Sequence, residues 1–361
     1  MKIVLCHPGA DMSTSDVHRG LADGLKALGH EVYDYALSAR IAVAAQYFHY
    51  AWKKGNRQAP RPSNADVIYR AGEELVTRSL RVQPDVVLIV SAMFIHPDVV
   101  VLLKRAGLKV AVLFTESPYD DAQQARLLPY VDVAWTNERA SAEAMGIHYL
   151  PHAWHPQIHQ PTTEAANPNL PAHDVVFVGT AFQERIEMLQ AVDWTGIDLG
   201  LYGAWEALPS RSSLRAHVRG KVIDNRLAAA LYQRAKIGLN LYRWSQGFGR
   251  HAPRIPQAAG SLNPRAYELA ATRCFSLSEY RDEVVEKFGD LVPTFTRADE
   301  IRPLVDRWLA DDMGRTKVRH ALAQAVAGDT WTARASQVHS DIVHAGIGAR
   351  DEQPVSSGAH G

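Results

Sequence analysis

Short apolar runs alternate with amphipathic stretches along most of this 361-residue chain. Runs rich in Val, Ile and Leu are typical of strands buried on both faces, and the helically spaced apolar residues between them are typical of covering helices. The first half predicts six such strands, at residues 2–6, 31–37, 85–90, 110–114, 132–135 and 147–150. This part of the chain is therefore predicted to be an open α/β sheet.

The pattern breaks once and then restarts. Five prolines stand between residues 151 and 171, where no regular element can continue. Beyond them the sequence predicts strands at 174–178, 197–202, 236–241, 274–277 and 291–295, and helices at 182–191, 226–234, 264–272, 281–288, 298–310 and 316–327. A second α/β sheet thus follows the first, and the two are expected to face each other across a cleft.

These patterns give domain boundaries. We expect an N-terminal Rossmann-like domain (1–150), a hinge (151–172), a second Rossmann-like domain (173–330), a helix that closes the second domain (331–345) and a disordered tail (346–361). An aromatic stripe in the first domain is predicted to belong to the core or to a lid; it consists of Tyr47, Phe48, Tyr50 and Trp52.

Composition narrows the range of functions. The chain has 39 Lys and Arg against 39 Asp and Glu, so no net charge attracts it to polyanions or anionic lipid. Cys6 and Cys274 are too few for a disulfide framework or a multi-cysteine zinc site, which predicts a cytoplasmic protein. No apolar run approaches the roughly 18 residues of a membrane span, and the N-terminal run is too short for a signal peptide.

Glycines after two strands of the second domain mark a candidate anion site. Gly179 and Thr180 follow the first of these strands, and Tyr202 and Gly203 end the second. Backbone N–H groups at such turns can bind anions, although the need for backbone freedom alone would also explain a glycine there. Because both turns lie at the carboxyl edge of one sheet, we expect a ligand at this edge.

An arginine-rich loop follows the third strand of the second domain. It carries Arg243, Arg250 and Arg254, and Arg265 stands in the first turn of the next helix. Arginine binds phosphate through paired N–H donors, so the loop predicts a diphosphate site, with a solvated basic loop as the alternative. Glu268, one turn into that helix, is placed either to accept hydrogen bonds from a ribose diol or to complement the helix dipole.

The sequence predicts neither a metal site nor a redox cofactor. Four histidines, at 148, 152, 155 and 159, have helical spacing, but Pro151 and Pro156 prevent a helix there. A P-loop and a nucleophile elbow are missing from the sequence. The first strand leads into His7-Pro8-Gly9, which is not the glycine fingerprint of dehydrogenases.

Several segments resemble one family. The clearest are NPRAYELAATRCF at 263–275 and LSEYR at 277–281, and four others occur in matching order: YVDVAWTN at 130–137, YLPHAWHP at 149–156, FVGTAFQER at 177–185 and AKIGLNL at 235–241. Together they resemble the signature of CgeB-like glycosyltransferases, over roughly residues 85–335. The resemblance is specific in the second domain and loose in the first.

This resemblance implies the GT-B architecture, with a nucleotide-sugar donor bound mainly by the second domain. The donor is expected to be a UDP-sugar that supplies a hexosyl or pentosyl group. Related retaining enzymes have a glutamate eight positions before the residue equivalent to Glu268, where this chain has Gly260, so retention and inversion both stay open. The residues implied at the donor are Gly179, Arg185, Asn263, Arg265, Glu268, Glu279 and Tyr280.

Such a transfer needs a stabilised leaving group and, for inversion, a base. Helix N-termini and arginines can stabilise the departing diphosphate, so we expect no metal requirement. Candidate bases stand at or beyond strand ends of the first domain: Asp11, Asp16, His96 and Glu116. Glu116 and Asp16 are preferred, although Asp16 is equally suited to cap a helix and His96 precedes Pro97 at another helix start.

Two other functions fit the same sequence. A non-catalytic nucleotide-sugar-binding module would share the fold. A glycosyltransferase acting on hydroxymethylated DNA bases would use the arginines and Trp244 for phosphate contact and stacking, although the neutral net charge counts against it. The nature of the acceptor (saccharide, protein or modified DNA base) and the oligomeric state stay open.

Overall fold

The computed structural model describes residues 1–9, 14–55, 61–160, 165, 167–220, 223–244 and 259–348. Twelve strands in this part of the chain form two six-stranded sheets, and every strand pairing in them is parallel. Helices connect the strands, as parallel pairing requires. The predicted α/β class with two Rossmann-like sheets is confirmed.

The first sheet has the strand order β2-β1-β3-β4-β5-β6. Its strands are β1 (Lys2–His7), β2 (Glu31–Ala36), β3 (Val86–Val90), β4 (Val110–Phe114), β5 (Val133–Thr136) and β6 (His148–Tyr149). Its helices are α1 (Ser15–Ala27), α2 (Leu37–Lys54), α3 (Asn64–Val82), α4 (Pro97–Arg105), α5 (Asp121–Ala125) and α6 (Arg139–Met145). Every residue of β3 and β4 is buried, because helices cover both faces of the sheet.

The second sheet has the strand order β12-β11-β10-β7-β8-β9. Its strands are β7 (Val175–Val178), β8 (Leu199–Tyr202), β9 (Val218–Gly220), β10 (Ile237–Asn240), β11 (Ser276–Glu279) and β12 (Thr294–Phe295). Its helices are α7 (Gln183–Gln190), α8 (Asn225–Arg234), α9 (Pro264–Ala271), α10 (Asp282–Phe288), α11 (Ala298–Ala310) and α12 (Asp312–Ala325). The sequence does not predict β9, since this edge strand is short and contains an exposed arginine.

The last helix, α13 (Trp331–His344), packs against the first domain. Trp331 and Ala335 are buried in the same cluster as Leu21 of α1. A Cβ atom at Gly20 would lie 2.3 Å from Cγ of Trp331, so the two helices approach closely only because α1 has a glycine there. The amphipathic pattern predicts this helix but not its partner, and the expectation that it closes the second domain is wrong.

The chain passes between the two domains twice, and the two passages lie side by side. Trp154, in the first passage, forms an isolated parallel bridge with Thr330, in the second. The N–H of Trp154 donates to the carbonyl of Asp329 at 3.0 Å, and the N–H of Trp331 donates to the carbonyl of Trp154 at 3.1 Å. The two connecting segments are therefore hydrogen-bonded to each other.

Two smaller expectations need correction. Tyr47 and Tyr50 of the aromatic stripe are 60% and 61% exposed and are not core, because only Leu37 and Ala44 of α2 are buried. Ile347 is 2% exposed within the first core, so the ordered chain extends past residue 346; the rest of the expected tail, 349–361, lies outside the described residues. No described helix is both long and apolar enough to cross a membrane.

Candidate functional site

Residues at the carboxyl ends of both sheets meet in one interdomain contact. Glu138 follows β5 and is only 4% exposed; its carboxylate accepts hydrogen bonds from the N–H groups of Gly260 at 3.1 Å and Ser261 at 3.3 Å. Burial raises the pKa of Glu138 above its usual range. A carboxylate of the first domain thus lies at the backbone of Gly260, the position where the sequence lacks a glutamate of its own.

Two glycines allow close backbone approach at the edge of the second sheet. Gly203 has a φ of 118°, and a Cβ atom there would lie 2.4 Å from the carbonyl oxygen of Gly179. A Cβ atom on Gly179 would lie 2.4 Å from Nη2 of Arg265. These positions therefore require glycine. Because Gly179 has no side chain, the guanidinium group of Arg265 can contact the turn after β7.

Two arginines meet at this turn, the buried Arg185 and the partly buried Arg265. Arg185 donates from Nη1 to the carbonyl of Thr180 at 3.0 Å and from Nε to that of Tyr242 at 3.2 Å. Arg265 donates from Nε to the carbonyl of Val178 at 2.8 Å. Burial, and then the charge of Arg265, lower the pKa of Arg185 to about 9. The two guanidinium groups lie side by side at this turn, and an anion bound there would stabilise their positive charge.

A third arginine, the buried Arg281, is not among the residues predicted from the sequence. Its guanidinium stacks on the rings of Trp244 and Tyr242, at 4.2 and 4.6 Å from the ring centroids. It donates from Nη1 to the carbonyl of Ala259. Its Nε and Nη2 atoms are buried and have no hydrogen-bond partner among the described residues. The LSEYR segment that ends at this residue is the signal that points to it.

Arg243 links the second domain to Glu116 of the first. Its Nη1 lies 3.4 Å from Oε2 of Glu116, and its guanidinium lies over the ring of Tyr119 at 4.4 Å. The hydroxyl of Tyr119 donates to the carbonyl of Arg243. Burial raises the pKa of Glu116, and the nearby guanidinium partly opposes that shift.

The other candidates of the first domain are not at this contact, or lie outside the described residues. The ring of His96 accepts a hydrogen bond from the N–H of Asp98 at 3.3 Å and packs edge-on against Tyr69. It therefore acts as the cap of α4, as its position before Pro97 allowed. Asp11 lies outside the described residues, as do Arg250 and Arg254 of the arginine-rich loop.

The remaining predicted donor residues divide into two groups. The side chain of Asn263 caps α9 and donates to Asn240 at 2.8 Å. Glu279 accepts from the N–H of Tyr242 at 2.8 Å and from Nε1 of Trp244 at 2.6 Å, which fixes the segment beneath Arg281. Two tyrosines have side chains engaged elsewhere: the hydroxyl of Tyr202 bonds to His173, which precedes β7, and that of Tyr280 bonds to Asp282.

A second buried group lies between the domains and contains Asp16, His159 and Glu268. One nitrogen or oxygen atom from each lies within 4.8 Å of the others. Burial, and then the charge of Asp16, raise the pKa of Glu268 to about 8. Burial likewise raises the pKa of Asp16 to about 6. The structure thus joins a candidate base of the first domain to the expected ribose ligand of the second.

Residues 184–340 match a family model described as glycosyl transferase-like. This match covers most of the second domain. All four arginines described above, together with Glu268, belong to that domain. A comparison with curated protein sequences finds no match.

Solved structures share the fold over nearly the whole chain. An α,α-trehalose 6-phosphate synthase from Burkholderia multivorans is 11% identical with a TM-score of 0.62, over 95% of this chain and 98% of that one. The E. coli trehalose-6-phosphate structure bound with UDP-2-fluoro glucose is 12% identical with a TM-score of 0.61, over 95% and 99%. A putative UDP-N-acetylglucosamine 2-epimerase from Listeria monocytogenes is 10% identical with a TM-score of 0.55, over 94% of both chains. The glycosyl transferase-like domain is thus the second half of a GT-B fold.

Proposed function

We propose that the protein transfers a sugar from a nucleoside-diphosphate sugar, with UDP as the nucleotide, to a hydroxyl group of an acceptor. One observation carries the proposal: the guanidinium groups of the buried Arg185 and the partly buried Arg265 meet at the turn after β7, within the residues that match the glycosyl transferase-like model. Two adjacent guanidinium groups suit the charges of a diphosphate. The E. coli structure bound with UDP-2-fluoro glucose supports UDP as the nucleotide.

Membership of the CgeB-like subfamily is part of the proposal. The segments that resemble its signature surround the arginine group: FVGT begins in β7, LNL ends β10, NPR begins α9 and LSEYR extends from β11 to Arg281. The resemblance thus lies in residues around the candidate donor site, which supports a shared use of that site.

In the proposed reaction, an acceptor oxygen forms a bond to the anomeric carbon as the bond from that carbon to the diphosphate oxygen breaks. The electron pair leaves with the diphosphate, whose charge Arg185, Arg265 and Arg281 stabilise. The acceptor proton passes to Glu116, whose pKa burial raises above its usual value, which makes the carboxylate a stronger base. The side chains supply the positive charge, so the proposal includes no metal ion.

The test is calorimetric titration with UDP, followed by an assay of UDP release from UDP-hexoses and UDP-pentoses in the presence and absence of EDTA. We expect UDP to bind, at least one donor to turn over, and EDTA to have no effect. Binding without any turnover would favour the non-catalytic module. Steeply salt-dependent binding to duplex DNA would favour a modified-DNA acceptor. Failure to bind UDP would reject the proposal.

A further inference from the structure

Helices α2 and α3 lie antiparallel on the first domain. Nη1 of Arg40 lies 3.3 Å from Oε2 of Glu74, and farther along α2 the guanidinium of Arg70 lies over the ring of Tyr47, 6.0 Å from its centroid. The partner in α3 moves back along the chain as the residue in α2 moves forward, so the two helices form a hairpin. The reaction proposed above uses no residue of either helix.

The far end of this hairpin projects beyond the carboxyl edge of the first sheet. The hydroxyl of Tyr35, near the end of β2, donates to the carbonyl of Ala71 at 2.7 Å, which places Ala71 level with that edge. None of residues 45–54 and 64–70 is buried, and we call these residues the hairpin tip. At 1.5 Å per residue, the part of α2 in the tip is about 15 Å long.

Helix α2 exposes large apolar side chains along one face. Of the large apolar side chains in the described part of the chain, four are at least 60% exposed, and three of these belong to α2: Val43, Tyr47 and Tyr50. Their spacings of four and three residues place them on one face of the helix. Clustered apolar side chains that stay in water mark an interaction surface.

The same segment is basic. Residues 35–65 contain five Lys and Arg and no Asp or Glu. Lys53 and Lys54 are exposed at the end of α2, and Nζ of Lys54 lies 5.1 Å from the centroid of the Tyr50 ring. Cations therefore border the exposed aromatic rings.

The charges next to the end of α2 agree with this distribution. The exposed Arg61 lies over the ring of Trp52, 5.9 Å from its centroid. Asp66 is the one acidic residue of the tip, and its carboxylate accepts from the N–H and the hydroxyl of Ser63, both at 2.7 Å. The acid thus caps α3, and the tip carries an excess of positive charge.

We propose that the hairpin tip binds the surface of an anionic membrane. Tyr47 and Tyr50 enter the headgroup layer, where aromatic rings with a polar end are favoured. Lys53, Lys54 and Arg61 contact the lipid phosphates. The chain as a whole has no net charge, so the attraction comes from the tip alone.

Two other partners fit this face less well. A second copy of the chain would bring the same basic residues together in a symmetric contact, where like charges repel. Nucleic acid is bound mainly through hydrogen bonds to phosphate and sugar, but Ala42, Val43 and Ala51, which are exposed along α2, offer no side-chain hydrogen bond. Burial of these apolar groups in a headgroup layer is favourable.

Flotation of the full chain with lipid vesicles tests the proposal. The wild type is expected to bind phosphatidylcholine vesicles with about 30% phosphatidylglycerol at least tenfold more tightly than vesicles of phosphatidylcholine alone. Lys53→Gln combined with Lys54→Gln should weaken this binding about 30-fold, at about fivefold for each charge. Tyr47→Ser combined with Tyr50→Ser should weaken it about tenfold.

The matched controls remove charge and apolar area elsewhere. Arg211→Gln combined with Lys317→Gln, both exposed on the second domain, should bind vesicles like the wild type. So should Tyr130→Ser combined with Met313→Ser, whose side chains are 40% and 85% exposed. Every variant should melt within about 2 °C of the wild type, because all these side chains are exposed, and this shows that the variants are folded.

Equal binding to both kinds of vesicle, or unchanged binding in the Lys53 and Lys54 variant, would overturn the proposal. Tighter binding to DNA than to vesicles, lost in the same variant, would assign the tip to nucleic acid instead. Dimerisation of the wild type in sedimentation equilibrium, abolished in the Tyr47 and Tyr50 variant, would assign it to a second copy. None of these results depends on sugar transfer, so the proposed function would stand in each case.

Discussion

The two sheet edges that meet between the domains have the same construction but carry different side chains. Both are carboxyl ends of parallel strands covered by helices. The edge of the second sheet presents glycines and buried arginines, including Arg185 and Arg281. The edge of the first sheet presents the partly buried Glu116 and the buried Glu138, and burial raises the pKa of both. One edge suits an anionic leaving group, and the other suits a neutral hydroxyl that must lose a proton.

This contrast shows that shared architecture determines where a site lies and that the residues after each strand determine its chemistry. It also shows how the basic and acidic residues are distributed in the structure. The 39 basic and 39 acidic residues cancel overall, and some of them pair across the two domains, as Glu116 does with Arg243 and Arg139 with Glu283.

The largest expected effect tests the acidic edge. Glu116→Gln removes the proposed proton acceptor, so kcat for sugar transfer should fall about 1000-fold with the affinity for UDP changed less than tenfold. Steady-state kinetics and calorimetry measure the two quantities. Asp120→Asn, on the same loop, is the control and should keep kcat within twofold. If the Glu116→Gln enzyme kept more than a tenth of the wild-type kcat, Glu116 would not be the proton acceptor.

The next effect tests the backbone approach at the cationic edge. Gly203→Ala places a Cβ where the carbonyl oxygen of Gly179 is 2.4 Å away and φ is 118°, so unfolding free energy should drop by about 3 kcal/mol. Gly196→Ala, with φ of 77° and open space around its Cβ, should lose only about 1 kcal/mol. Urea denaturation measures both. Equal losses would mean that the contact between the two turns adds nothing.

A smaller effect tests the stacked arginine. Arg281→Gln should weaken UDP binding about 30-fold, because it removes a buried cation with two unpartnered N–H groups. Arg281→Lys should recover only part of this, since lysine lacks the planar group that stacks on Trp244. Calorimetry decides, with the exposed Arg297→Gln as a control expected to bind like the wild type. Unchanged affinity in Arg281→Gln would limit the cationic edge to Arg185 and Arg265.

The smallest expected effect concerns Glu268, whose pKa is affected by burial and by Asp16 of the first domain. The pKa of Glu268 is raised from 4.5 to about 8, so the folded state favours its protonated form and loses stability as pH rises toward 8. Glu268→Gln lacks this titration, and its stability relative to the wild type should increase between pH 6 and 8 by on the order of 1 kcal/mol. Melting temperatures across that range test it, with the exposed Glu206→Gln as control. A constant difference would contradict the raised pKa.

Much of the fold could be predicted from the sequence because its strands are short apolar runs buried on both faces. The meeting of Gly179, Arg185 and Arg265 at one edge of the second sheet could be predicted in part for the same reason, since they stand directly beside such strands or at a helix start. Local pattern carries this information, since the carboxyl ends of parallel strands lie together.

Contacts between distant segments could not be predicted in this way. Asp16 and Glu268 are separated by most of the chain, and only the packing of the two domains brings them together. The packing of α13 against α1 depends on Gly20. From the sequence alone, a glycine in a helix indicates only a weak helix former. The hydroxyl of Tyr202 forms a hydrogen bond with His173. The apolar pattern of the strand does not predict this partner.

The paired passages at Trp154 and Thr330 determine how the two edges can move apart. A single flexible connection would let one domain swing, twist and slide relative to the other. Two adjacent, hydrogen-bonded connections restrict sliding and twisting of the domains and leave mainly rotation about one axis. Opening and closing of the domains would then follow nearly the same path each time. Little orientational entropy is therefore lost when the residues of the two edges approach each other again.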